Sequence, residues 1–138
     1  MTTKKSDTQF IVERMYAEWK RGMLTYWVLG WLLMQPMYGL EIQKKIDSST
    51  QGKMTVRPST IYQLLRRLEQ RGLVACYWQQ TPIGPPRAYY ETTPAGRLVL
   101  KIYIDEVFSP GSPIASAMGE ITAKLFQYFT QSEQEDLS

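Results

Sequence analysis

The residues best suited to recognition chemistry lie together near the middle of the chain. Ser59, Thr60 and Gln63 carry side chains that can both donate and accept hydrogen bonds. Two cations, Arg66 and Arg67, follow within one further turn of a helix. A glutamine can form two hydrogen bonds to adenine, an arginine can form two to guanine, and a hydroxyl can contact a base or a phosphate. These residue types predict contacts with double-stranded DNA.

The stretch that holds these residues has the spacing of an amphipathic helix over 58–71. Its apolar positions recur at i, i+3, i+4 and i+7, which is the spacing of one buried helix face. Pro58 suits the first position of a helix, where no backbone N–H is needed, and Gly72 can adopt the positive φ that ends one. Arg57 stands just before the helix and adds a cation. The residues expected to face the core are Ile61, Leu64, Leu65 and Leu68.

Glycine and proline residues divide the remaining chain into further helices and one hairpin. Two runs rich in β-forming residues, 73–78 and 88–92, flank a proline-rich loop, and this layout predicts an antiparallel hairpin. We expect irregular structure over 48–57, a hinge over 109–113 and a frayed acidic tail over 131–138. The predicted helices cover residues 7–20, 23–34, 38–47, 58–71, 94–108 and 114–129.

After the first helix, the order of three helices, a hairpin and a further helix is that of a winged helix-turn-helix domain. The expected fold class is therefore mainly α with a small β-hairpin (α+β). We expect an N-terminal helical extension over 1–22 and a DNA-binding domain over 23–108. The hinge, a C-terminal dimerisation helix and the acidic tail occupy 109–138. A homodimer is expected because the apolar side of the last helix would otherwise be exposed.

The distribution of charge agrees with a nucleic-acid partner. The chain of 138 residues has a net charge of +3. Residues 57–101 carry seven Lys and Arg against two Glu, whereas residues 102–138 carry one Lys against six acids. A basic middle indicates a polyanion-binding face, and an acidic end indicates a separate one. Arg87 ends the hairpin loop, where a wing can meet the DNA backbone or the minor groove.

The same composition disfavours other classes of function. The chain has no His, one Cys (Cys76), no glycine-rich phosphate loop and no paired acidic motif, so we expect neither an enzyme nor a metal or cofactor. Its most apolar run, residues 26–34, is far shorter than the roughly 20 residues of a membrane span. The first residues lack the apolar stretch of a signal peptide. We therefore expect a cytoplasmic protein with no membrane partner.

Two tryptophans on one predicted helix allow a further interpretation. Trp27 and Trp31 lie one turn apart, with Met23 and Met34 nearby. They could line a pocket for a planar small-molecule effector. A Trp and Met stripe at helical spacing is more often simply core. Both interpretations stay open at the level of the sequence.

Three segments resemble the PadR family of winged-helix transcriptional regulators. Residues 29–39, Leu-Gly-Trp-Leu-Leu-Met-Gln-Pro-Met-Tyr-Gly, resemble the first core helix and turn of that family. Residues 57–74 resemble its recognition helix, and residues 84–97 resemble its wing and the start of the next helix. The resemblance spans about 23–108, with the three motifs in the family's order.

This resemblance implies a homodimeric DNA-binding regulator, usually a repressor, in which the helix after the wing and the C-terminal helix support dimerisation. It implies that Tyr62 packs at the recognition helix and contacts a phosphate, and that Tyr89 and Tyr90 anchor the second wing strand. Arg57 departs from the family, which usually has a small capping residue such as Ser there. We therefore expect a poorly capped helix start.

A winged helix can also serve as a protein-interaction module without specific DNA readout. The outward face of its third helix would then be apolar or acidic, whereas here it carries Ser59, Gln63, Arg66 and Gln70. These residues favour sequence-specific DNA binding. The residues expected to contact DNA are Arg57, Ser59, Thr60, Tyr62, Gln63, Arg66, Arg67 and Arg87.

Overall fold

The computed structural model describes residues 3–137, and the predicted fold class is confirmed: helices dominate, with one small antiparallel sheet. The helix predicted over 58–71 begins at Pro58 as expected and ends one residue early, at Gln70, and the two strands of the hairpin lie within a residue of their predicted positions. The elements are α1 (Thr3–Met34), β1 (Met37–Tyr38), α2 (Gly39–Ser49), α3 (Pro58–Gln70), β2 (Val74–Gln79), β3 (Arg87–Thr92), α4 (Pro94–Val107) and α5 (Pro113–Leu137).

The sheet has a third strand that the sequence analysis did not predict. Strand order is β1-β3-β2, with both pairs antiparallel. Tyr89 in β3 lies between Tyr38 in β1 and Tyr77 in β2. A strand of two residues is too short to show a period of two in the sequence, so only its pairing with β3 identifies it.

Helix α1 is continuous, so the expected break near Gly22 is wrong. Gly22 lies in the middle of the helix, with no atom near the place of a Cβ. Glycine costs only about 1 kcal/mol in a helix interior, which is too little to end a helix when the following turns are packed. Those turns bury Leu24, Val28, Leu29 and Leu32, whereas the side chains of residues 6–19 are exposed.

The core lies between the second half of α1, α2, α3 and the sheet. All four apolar residues predicted for the buried face of α3 are at most 5% exposed, so this prediction is confirmed. Burying such side chains contributes roughly 1.5–3 kcal/mol each. The remaining buried residues of this core are Met37, Ile42, Ile46, Met54, Val56 and Val74.

The irregular connection between α2 and α3 is organised by polar side chains. The Thr50 hydroxyl donates to the carbonyl oxygen of Ile46 (2.8 Å) and accepts from the Met54 amide (3.1 Å). The Gln43 side-chain amide donates to the Val56 carbonyl oxygen (3.0 Å). Because Met54 and Val56 are buried, these bonds fix the chain immediately before α3 begins.

Packing divides the chain into two compact units, one ending at Leu98 and one beginning at Val99. In the second unit, the Ser112 hydroxyl donates to the Glu106 carbonyl oxygen (2.8 Å) and accepts from the Ala115 amide (3.0 Å), which caps α5. Helix α5 then continues to Leu137, so the tail predicted to fray is helical. No Gly or Pro follows Gly119 to end it. The predicted functional division at residues 22 and 108 stays a prediction.

Candidate nucleic-acid interface

Helix α3 presents a polar face to solvent because its apolar face is fixed in the core. Ser59, Gln63, Arg66 and Arg67 are all exposed, as the sequence predicts. The fixed side is well anchored, since Leu65 is fully buried. The outward side chains therefore project from a rigid helix, which is the arrangement that base-edge recognition in a major groove requires.

The start of α3 lies beside an open groove of about 610 Å³. Arg57 is the N-cap residue and its side chain forms no capping hydrogen bond, so the expected poor cap is confirmed. Its carbonyl oxygen accepts from the amides of Thr60 (3.0 Å) and Ile61 (3.2 Å). The residues lining the groove are Lys20, Gln43, Thr55, Val56, Arg57, Pro58 and Thr60.

Lys20 is a cation of this groove that the sequence analysis missed. Its ammonium group donates to the Thr55 carbonyl oxygen at 3.4 Å, which brings α1 to the start of α3. Arg57 lines the same groove. Nothing in the sequence pairs residue 20 with residue 55, because the contact depends on how α1 packs. The groove therefore combines a cation of α1 with one that immediately precedes α3, at the end of α3 predicted to face DNA.

Tyr62 packs against the first residue of α2 while remaining 46% exposed. A Cβ atom on Gly39 would lie 2.7 Å from the Tyr62 hydroxyl oxygen, so only glycine leaves room for the ring in this position. The Tyr62 ring therefore packs on the backbone at the start of α2. This contact agrees with the packing that the family resemblance implies.

The wing carries Arg87 at its second strand, folded onto an aromatic side chain. The Arg87 guanidinium carbon lies 4.5 Å from the centre of the Tyr38 ring, which is a cation–π contact. Tyr38 packs edge-to-face on Tyr89 at 5.4 Å, and Tyr89 stacks on Tyr77 at 5.9 Å. Arg87 thus extends a row of three tyrosines on one face of the sheet.

The loop of the wing is closed by one threonine. The Thr81 hydroxyl oxygen lies 3.0–3.2 Å from the carbonyl oxygens of Ile83, Gly84 and Pro85. Gly84 has a φ of 97°, which favours glycine. Ile83 is 91% exposed at this tip. The loop is therefore a defined turn that presents its tip to solvent.

The opposite face of the sheet holds the wing against α3. Burial, with the neighbouring Cys76, Glu69 and Tyr62 groups, raises the pKa of Tyr90 to about 12. Tyr90 and Tyr89 occupy successive positions of β3 and point to opposite faces, so they anchor the strand on both sides.

Two threonines tie β3 to its surroundings. The Thr92 hydroxyl donates to the Leu29 carbonyl oxygen of α1 at 2.7 Å. The Thr93 hydroxyl donates to the Gly72 carbonyl oxygen (2.6 Å) and accepts from the Gly96 amide (3.1 Å), which caps α4. A Cβ atom on Gly96 would overlap the Leu73 carbonyl oxygen. The wing is therefore fixed at its base to α1, to the end of α3 and to α4.

Trp27 and Trp31, proposed as a ligand pocket, lie side by side on α1 with ring centres 5.9 Å apart. Trp19 packs perpendicular to Trp27 at 6.0 Å. Both predicted pocket residues are half-buried, and neither lines the groove at the start of α3. The effector pocket stays a prediction.

Within residues 3–137 no helix has the length and apolar character to cross a membrane. Over the same range, no three His, Cys, Asp or Glu side chains come together in a way that could hold a metal ion.

Comparison with known proteins gives one consistent result. A family model described as the transcriptional regulator PadR-like family matches residues 28–102. A PadR family transcriptional regulator from Eggerthella lenta is 30% identical, with a TM-score of 0.68 over 88% of this chain and 96% of that one. A transcriptional regulator from Clostridium thermocellum is 27% identical, with a TM-score of 0.59 over 81% of this chain and 94% of that one.

Bacillus subtilis PadR, solved in complex with operator DNA, shares the fold. The two chains are 21% identical, and the TM-score is 0.55 over 79% of this chain and 59% of that one.

Proposed function

Because the chain belongs to the PadR-like family of transcriptional regulators, we propose that it binds operator DNA sequence-specifically as a homodimer. The exposed polar face of α3 carries this proposal, since it holds Gln63 and Arg66 on a helix fixed by a buried opposite face. Helix α3 enters the major groove, and the wing meets the backbone or the minor groove. The complex of Bacillus subtilis PadR with operator DNA supports an operator as the partner of this fold.

The proposed contacts fall into three groups. Gln63 and Arg66 read base edges, because each can form a pair of hydrogen bonds to one base. Ser59 and Thr60, in the first turn, contact a base or a phosphate. Cations and the Tyr62 hydroxyl position the protein on the phosphates, which supplies affinity without sequence information. The residues proposed to contact phosphates are Arg57, Tyr62, Arg67 and Arg87.

The homodimer forms through apolar side chains that the single chain leaves exposed. Along α5 these are Ile114, Met118, Ile121, Leu125, Phe126, Tyr128 and Phe129. A contiguous apolar surface of this kind marks an interaction site. A symmetric dimer presents two copies of α3. We propose that it acts as a repressor, occupying an operator and thereby blocking transcription.

The dimer can be tested separately from DNA binding. Light scattering of the full chain should report a dimer, and deletion of residues 110–138 should leave a monomer. A dimer that survives the deletion would mean that the N-terminal half of α1 pairs the subunits instead.

DNA binding is tested by selecting fragments of the source genome on the purified protein and measuring their mobility shift. We expect a specific complex whose affinity falls steeply as salt rises, because phosphate contacts release counterions. The Gln63→Ala/Arg66→Ala double variant should bind the selected fragment at least about 30-fold more weakly, since each bidentate contact contributes about 1–3 kcal/mol.

The matched control is Lys124→Ala/Gln127→Ala, which removes one cation and one glutamine from α5 and should leave DNA binding unchanged. Undiminished specific binding by the Gln63→Ala/Arg66→Ala variant would contradict the assignment of α3. Complete absence of DNA binding by the natural chain would favour the protein-interaction module instead.

A further inference from the structure

We propose that Tyr38 is a positioning residue for DNA binding: its ring holds the Arg87 guanidinium beside the loop of the wing, so that the arginine meets DNA already oriented. This inference rests on the proposed function and deepens it. It assigns a role to a residue in the short strand β1 that lies outside the expected DNA contacts.

The contact between the two side chains follows from strand register. Tyr38 pairs with Tyr89, and Arg87 lies two residues before Tyr89 on the same strand. Residues two apart on a strand point to the same face, so Arg87 and Tyr89 share a face with the neighbouring Tyr38 ring. The guanidinium carbon lies 4.5 Å from the ring centre, well within the roughly 6 Å range of a cation–π contact.

Three contacts hold Tyr38 in place. Its backbone N–H donates to the Glu41 carboxylate at 3.1 Å, and β3 pairs with its strand. Its ring packs edge-to-face on Tyr89 at 5.4 Å, and Tyr89 in turn stacks on Tyr77. A ring with two torsions, fixed in this way, is a rigid support for a side chain that otherwise has many rotamers.

The Tyr38 ring leaves the hydrogen-bonding edge of the Arg87 guanidinium accessible. The ring covers one flat side of the group, whereas hydrogen bonds to phosphate leave from its edge. Arg87 is exposed, so a phosphate can reach the edge of its guanidinium. Because the arginine is already ordered before binding, less conformational entropy is lost when it meets a phosphate.

The alternative is that Tyr38 only stabilises the sheet. The two roles differ in their dependence on Arg87. A purely structural tyrosine would affect DNA binding equally whether or not residue 87 is an arginine. A positioning tyrosine would affect binding only when Arg87 is present, so a double-mutant cycle separates the roles.

The experiment measures affinity for the genomic fragment selected by the natural chain, using Tyr38→Leu, Arg87→Ala and the double variant. In the natural background Tyr38→Leu should weaken binding about two- to five-fold, which is the worth of an exposed cation–π contact. In the Arg87→Ala background the same change should have almost no effect. Tyr38→Phe keeps the ring and should bind like the natural chain.

Trp78→Leu is the matched control, because it removes an exposed ring of the wing from the opposite face of the sheet. Its effect on binding should be the same with and without Arg87. Equal losses from Tyr38→Leu with and without Arg87 would overturn the proposal, and so would an Arg87→Ala variant that binds as well as the natural chain.

A measurement without DNA checks the contact itself. In proton NMR spectra the Arg87 δ-methylene signals should be shifted upfield by the ring in the natural chain and in Tyr38→Phe, and the shift should vanish in Tyr38→Leu. Its absence from the natural chain would overturn the inference while leaving the proposed function intact. Failure of the natural chain to bind any fragment, with the shift present, would overturn both.

Discussion

Apolar side chains are buried in the winged-helix part of this chain but exposed in the first half of α1 and along α5. From Leu24 to Val74, the apolar faces of α1, α2 and α3 converge on one core, where Leu65 is fully buried. In the first half of α1 and along α5, apolar residues of similar size remain exposed, and Leu125 is a typical example at 47%.

This difference distinguishes residues that stabilise the fold of one chain from residues that are available to pair two chains. The winged-helix part can bury its apolar surface within a single chain, so its structure depends on intramolecular packing alone. The exposed residues of α1 and α5 gain nothing from folding as a monomer, yet a soluble monomer rarely exposes so much contiguous apolar surface. The proposed dimer therefore depends on the exposed residues of α1 and α5, and the proposed recognition of DNA depends on the winged helix.

The largest effect is expected from substitutions in the proposed dimer interface. The Ile121→Glu/Leu125→Glu double variant places two charges in the proposed dimer interface, where burial of an unpaired charge is costly. Sedimentation should report a monomer, and operator affinity should fall about 100- to 10,000-fold because the two half-sites are no longer bound together. Gln127→Glu, which adds one charge to another side of α5, is the control and should remain dimeric. A dimeric double variant would place the interface elsewhere.

A pair of identical substitutions tests the contrast between the two regions. Leu65→Ala should lower the free energy of unfolding by about 2–5 kcal/mol, because it opens a cavity in the core. Leu125→Ala should weaken the dimer, and its effect on Tm should depend on protein concentration. Calorimetry at several concentrations distinguishes the two. A loss from Leu125→Ala that persists when the protein is a monomer would mean that α5 is packed within its own chain.

Gly39→Ala is expected to affect binding more than folding. The added methyl group would displace the Tyr62 ring, whose hydroxyl oxygen lies 2.7 Å from the place of that carbon. Operator affinity should fall about two- to ten-fold, the worth of one hydrogen bond, with little change in Tm. In a Tyr62→Phe background the glycine substitution should add nothing. An additional loss there would show that Gly39→Ala acts through α2 rather than through the hydroxyl.

The sequence predicts the winged helix well because its local signals agree. Pro58 and Gly72 mark the ends of α3, and the four apolar residues between them mark its buried face. The same type of signal fails at Gly22, where packing of the next turns outweighs the helix-breaking tendency of glycine. It fails again after Phe129, where an acidic composition suggests fraying although no residue ends the helix.

The sequence likewise predicts some features of the candidate site and not others. The exposed polar residues of α3 follow from helical spacing alone, so the sequence predicts their placement. The contacts of Arg87 with Tyr38 and of Lys20 with Thr55 join residues far apart in the chain. Each depends on a strand pairing or a helix packing that no local pattern encodes. Sequence reasoning can therefore predict which residues are available for binding, but not which of them support one another.

The smallest expected effect concerns the underside of the wing. With its pKa raised to about 12, Tyr90 keeps its proton in the folded chain to higher pH than an unfolded tyrosine, which loses it near pH 10. Its contribution to stability is thus complete below pH 10 and is lost as the pH rises from 10 to about 12. In Tyr90→Phe this part of the pH dependence of unfolding should disappear, and absorbance at alkaline pH should show one fewer late-titrating phenol. An unchanged pH profile in Tyr90→Phe would mean that the wing is not packed on α3 as tightly as the core beneath it. The wing would then belong with the less tightly packed part of the molecule, together with α5 and the first half of α1.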